Sequence, residues 1–147
     1  MSGRWLAAAV LGSVLTTPPA LADEVKNLEG EEAKRLAQTF TEASKKLDNL
    51  PVKVTPDLDK SMGLAAKQRV LFVVPDSNLK LDALKKLDKQ IVPFGLLYTH
   101  RITPVVAEQA VPAEQHRTVE VSIKNKDVKI AVMQLAATKV ADRLVLL

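Results

Sequence analysis

His100 and His116 are the only histidines in the chain. With Glu114 they are the side chains best suited to a transition metal. Their spacing argues against it. A helix-borne zinc site sets two histidines four residues apart with a glutamate beside the first. Asp57-Leu58-Asp59-Lys60-Ser61 echoes the start of a calcium loop. That loop needs glycine at its sixth place and a bidentate acid at its twelfth. Met62 and Gln68 stand there, with Gly63 one residue late, so the stretch reads as a polar turn. With no cysteine in the chain, thiol catalysis is excluded. No serine lies in a Gly-x-Ser-x-Gly elbow. Gly30, Gly63 and Gly95 are too far apart to cradle a phosphate. Neither a cofactor nor a metal is expected.

Two polar clusters remain. Asp76-Ser77-Asn78 follows an apolar run and precedes a helical pattern. Backbone N–H groups at such a place can hold an anion, although Asp76 and Ser77 also suit a helix cap. Tyr98-Thr99-His100-Arg101 leaves a second extended segment. If the two strands are parallel neighbours, both clusters share one edge of the sheet, where open α/β sheets bind ligands. Asp76, Ser77, Asn78, Tyr98, His100 and Arg101 are therefore the candidate ligand-binding residues.

The elements that must position them follow from apolar periodicity. Leu28, Ala33, Leu36, Phe40, Ala43, Leu47 and Leu50 recur at mostly three- and four-residue gaps. This predicts an amphipathic helix within 25–50, firm from Glu31 and stopped by Pro51. Residues 51–68 form a connection, with room for a helical turn after Ser61. Val70-Leu71-Phe72-Val73-Val74, closed by Pro75, predicts a strand buried on both faces. Leu79, Leu81, Leu84, Leu87 and Ile91 predict a helix of about three turns by the 3.6-residue period. Residues 91–98 return as a strand, which makes 69–98 a strand–helix–strand unit with parallel strands.

Residues 99–117 read as a loop. Residues 118–134 alternate as a hairpin turning at Asn125-Lys126, with Val121 opposite Ile130. Ala137, Val140, Ala141, Leu144 and Val145 have helical spacing, so 137–147 reads either as a helix or, the favoured form, as a turn through 137–143 and a final strand. The expected fold is α+β, with an amino-terminal amphipathic helix, the strand–helix–strand unit and the hairpin in one small mixed sheet.

Residues 1–22 have the pattern of an export signal: Arg4, the apolar run Trp5 to Leu15, then Ala20-Leu21-Ala22. The run is shorter than the ~20 residues a transmembrane helix needs. Removal would leave 23–147 as one exported domain, periplasmic or extracellular, with no further membrane-spanning segment expected. The net charge of +4 is mild, and the bases are interleaved with acids, as in Lys85-Lys86-Leu87-Asp88-Lys89. Without Trp5 the aromatics are Phe40, Phe72, Phe94 and Tyr98. That is too few for stacking platforms, so no nucleic-acid partner is expected.

The resulting expectation is a binding module for a partner protein or a small anionic ligand. A small periplasmic enzyme using His100 and Arg101, or a scaffold packing through helix 31–50, are the alternatives. A closed pocket pairing His100 with a perturbed carboxylate favours the enzyme. An exposed apolar stripe on the helix favours the scaffold. A shallow groove favours binding.

Overall fold

A computed structural model describes residues 24–146 apart from Asn49, Ala107 and Asp142. The expected leader, 1–22, lies outside the described residues. No helix among them is long and apolar enough to cross a membrane.

The described residues form a seven-stranded sheet. In chain order the elements are β1 (Val25–Leu28), α1 (Gly30–Ser44), β2 (Met62–Ala66), β3 (Arg69–Pro75), α2 (Leu81–Lys85), β4 (Val92–His100), β5 (Val105–Val106), β6 (Gln109–Ala110), β7 (Arg117–Ile123), β8 (Lys126–Val140) and β9 (Arg143–Leu146). Spatially the sheet runs β1-β2-β3-β4-β8-β7, and β9 also pairs with β8. Ala131 is partnered by Thr99 and Thr118, and Ala137 by Val92 and Leu146. So β7 and β9 lie along the same flank of β8, away from β4. β5 and β6 make a separate two-stranded ribbon.

This corrects the expected α+β class. Among the described residues every pairing is antiparallel, and they form predominantly a β-sheet carrying one substantial helix. The proposed parallel strand–helix–strand unit is a pair of antiparallel neighbours, with Phe72 opposite Tyr98 and Val74 opposite Leu96. The helix between them shrinks to Leu81–Lys85, and its cap residue, Lys80, makes no side-chain capping bond. Antiparallel neighbours need no long crossover, so the leucine period there is only partly used. Leu87 is nevertheless buried.

Four strands stand where none was expected: β1, β2 and, within the segment 99–117 read as a loop, β5 and β6. β1 takes the start of the predicted helix, and Gly30, at φ +61°, turns the chain from β1 into α1. β2 replaces the predicted helical turn after Ser61. Gly63 lets β2 close on β3: a Cβ there would run into the Phe72 ring and lie 2.7 Å from the Leu71 carbonyl oxygen.

The hairpin register is also corrected. Val121 faces Val128, not Ile130, and the turn is Lys124-Asn125. Both turn residues have positive φ, 50° and 61°, the backbone that a two-residue hairpin turn demands. A two-residue shift keeps every side chain on its face, which is why alternation alone did not reveal it. At the carboxyl end, 137–140 continue β8, and the turn to β9 is confined to the residues between Val140 and Arg143.

α1 crosses one face of the sheet. Ala33, Ala37 and Phe40 are buried with Phe72, Val74, Leu96, Tyr98, Ile130 and Val132. The Phe40 ring lies edge-on to Phe72 at 5.4 Å and tilted against Tyr98 at 5.1 Å. Burying each large side chain contributes roughly 1.5–3 kcal/mol. The opposite face is also apolar but less covered. Met62 is 57% exposed and Leu64 43%, while Leu71 and Val73 are half-buried. The strand expected to be buried on both faces is therefore buried on one.

Candidate functional site

The antiparallel β3–β4 pair separates the two predicted clusters. Val70 lies opposite His100 at one end of the sheet, and Pro75 lies opposite Gly95 toward the other. Asp76-Ser77-Asn78 and Tyr98–Arg101 therefore do not share an edge, and the expected joint site does not form.

At the first end, Asp76 is buried and fully engaged. Its Oδ2 accepts the Thr55 N–H at 2.7 Å and its Oδ1 accepts the Asn78 N–H at 2.7 Å. Its own N–H donates to Phe94 at 2.9 Å, and Ser77 N–H donates to Thr55 at 2.7 Å. The carboxylate ties the 55–57 segment to the turn after β3. This bonding spends the N–H groups an anion would need. Ser77 and Asn78 are exposed. Neither caps α2, which begins later.

At the other end the predicted residues diverge. Tyr98 belongs to the core. Ser44 Oγ donates to the Phe40 carbonyl at 2.8 Å, leaving the Tyr98 hydroxyl to donate to Ser44 Oγ at 3.1 Å. Burial pushes the Tyr98 phenol up to about 12, because the phenolate would lose its water. Thr99 is buried, and its hydroxyl has no hydrogen-bond partner among the described residues. His100 and Arg101 face a different setting. His100 Nδ1 donates to the Lys129 carbonyl at 2.8 Å, and Nε2 has no hydrogen-bond partner among the described residues. Arg101, exposed at φ 53°, turns the chain out of β4.

His100 and Arg101 line a depression of about 460 Å³ with Lys67, Gln68, Val70, Ile123, Lys124, Lys126, Val128 and Ile130. Three turns supply its rim: Lys67-Gln68 between β2 and β3, Arg101 after β4, and Lys124-Asn125 between β7 and β8. Val70, Ile123, Val128 and Ile130 form its floor, since they point to the α1 side of the sheet. α1 passes over Phe72 and Tyr98 and leaves this end of that face uncovered. The hairpin acids point the other way: Glu120 lies 3.9 Å from Lys129, and Asp127 accepts the Ser122 hydroxyl. Among the described residues no carboxylate lines the depression.

Sequence reasoning named His100 and Arg101 but not Lys67, Lys124 and Lys126, which line the same depression. Their signal was basic residues at strand-bounded turns, legible only once β2 and the hairpin register are known.

Other polar features are dispersed. Asp57 pairs with Lys60 at 3.0 Å, and Asp59 with Lys34 at 2.6 Å. The Lys60 ammonium, through its hydrogen bond, holds the Asp57 carboxyl below its usual value. The two acids of the calcium-loop echo thus turn to separate lysines. His116 Nε2 bonds the Val111 carbonyl at 3.0 Å. Among the described residues no three His, Asp or Glu side chains converge as metal ligands. A second depression, of about 370 Å³, lies between the end of α1 and residues 50–58, lined by Leu50, Val54, Leu58 and Leu96.

No protein-family model, curated protein sequence or solved structure matches this chain.

Proposed function

We propose that the chain is an exported binding module that takes an anionic ligand at the basic end of its sheet. One observation carries the reading. His100, Arg101, Lys124 and Lys126 converge on one open depression whose lining, among the described residues, holds no acid. The charges of Arg101, Lys124 and Lys126, gathered on low-dielectric walls, focus field on that spot and attract anions.

The alternatives lose the observations that would have favoured them. His100 sits among lysines in an open groove rather than beside a perturbed carboxylate. The apolar stripe of α1 is spent on its own sheet. Export rests on the leader pattern of residues 1–22 alone. A protein partner is the second reading, favoured by exposed Val25, Met62 and Leu64 on the face away from α1. A chain working that way loses its partner in Leu64→Lys and keeps it in Arg101→Gln.

The anion reading is tested by calorimetric titration with sulfate at low ionic strength. Wild type and Ser77→Ala should bind alike, and Arg101→Ala should bind several-fold more weakly. Equal binding by all three, or none by the wild type, would refute it.

A further inference from the structure

We infer that the ligand of the basic depression is a single-chain anionic amphiphile: a carboxylate head held by Arg101, Lys124 and Lys126, with an aliphatic chain lying on Val70, Ile123, Val128 and Ile130. This rests on the anion-binding reading and adds the tail to it.

A depression built for a bare inorganic anion needs only its rim. This one has a floor of four branched aliphatic side chains. The alternation of β7 and β8 points Ile123, Val128 and Ile130 to the same face as Val70. Ile130 is buried, while Val70, Ile123 and Val128 remain half-buried because α1 ends its cover at Phe72 and Tyr98. Those three keep apolar surface that water leaves at a gain and a hydrocarbon chain can cover. The volume, about 460 Å³, falls within the range of roughly 300–1,000 Å³ typical of small-molecule sites. The lysine and arginine stems add aliphatic walls beneath their charged tips.

Charge places the head. Lys126 is level with Ile123 across the hairpin, and Lys124 opens the turn beside it. Arg101 follows His100, the partner of Val70. The head therefore sits among Arg101, Lys124 and Lys126.

The experiment titrates the protein with monomeric decanoate, and separately with its two halves, acetate and decanol. Amide shifts in NMR locate the site. Decanoate should bind at least tenfold more tightly than either half, with shifts concentrated at residues 100–101 and 123–130. Arg101→Gln with Lys126→Gln should weaken decanoate at least tenfold. Val128→Thr, which keeps side-chain shape and adds a hydroxyl to the floor, should weaken decanoate several-fold and leave acetate unchanged. Acetate binding as tightly as decanoate would overturn the tail while the anion reading stands. Decanol binding as tightly as decanoate would overturn the role of the head. Sulfate binding without decanoate binding would overturn the inference alone, and binding of neither would overturn both.

Discussion

The two ends of the β3–β4 pair carry similar polar sequences and have opposite fates. At one end Asp76 is buried, and both its carboxylate oxygens accept backbone N–H groups. At the other, Arg101, Lys124 and Lys126 stand exposed around an apolar floor. Polarity at a strand end is thus not in itself a sign of function. What distinguishes the ends is whether the polar groups are already satisfied from within. A carboxylate that closes two backbone bonds holds a turn together. Cations gathered in a depression without lining acids keep their capacity for an outside partner.

The comparison can be broken most forcefully at its closed end. Asp76→Ala leaves two N–H groups without their acceptor and should cost about 3 kcal/mol, since each buried unsatisfied donor costs roughly 1–3 kcal/mol. Chemical denaturation would show this, while sulfate affinity of the folded fraction should not change. Loss of sulfate binding at full folding would mean the ends are not independent.

Tyr98, drawn from the same sequence cluster as Arg101, should act through the core. Its phenol is raised above the usual 10 to about 12, so folding favours the protonated form. The stability it contributes is present below pH 10 and is lost as pH rises from 10 through 12. Tyr98→Phe should remove that part of the alkaline loss, about 2–3 kcal/mol, because each tenfold change in proton affinity is worth about 1.36 kcal/mol. Parallel stability curves for wild type and Tyr98→Phe between pH 9 and 12 would contradict it.

Thr99→Val should have a smaller effect of opposite sign. It removes a buried hydroxyl lacking a described partner and keeps the side-chain shape, so stability should rise by about 1 kcal/mol. A thermal scan showing a lower Tm would contradict that accounting. Ser77→Ala should be smallest, within about 0.5 kcal/mol of wild type, as for other exposed positions.

Local patterns in the sequence were legible and distant pairings were not. The stripe Ala33, Leu36, Phe40, Ala43 reads as one face of a helix, and α1 turns it to the sheet, burying Ala33 and Phe40 with Leu36 and Ala43 packed against them. The run 70–74 reads as a strand, and β3 is there. Its direction relative to β4 was not legible, because a central antiparallel strand and a parallel one present the same apolar run. β1 was masked by Leu28, which fits the helical period as well as the strand. β2 was masked by Met62, Leu64, Ala65 and Ala66, residues of good or fair helix propensity held extended by pairing on both sides. The site followed the same division. His100 and Arg101 could be named because they end a visible strand. Lys67, Lys124 and Lys126 join them only through pairings that the sequence does not display.

The most direct measurement is a sulfate titration at low ionic strength followed at every backbone amide. The difference between the two ends predicts saturable shifts at Arg101, Lys124 and Lys126, with Ser77 and Asn78 unmoved. Saturable shifts at Ser77 and Asn78, or shifts spread evenly over surface lysines such as Lys46 and Lys89, would contradict it.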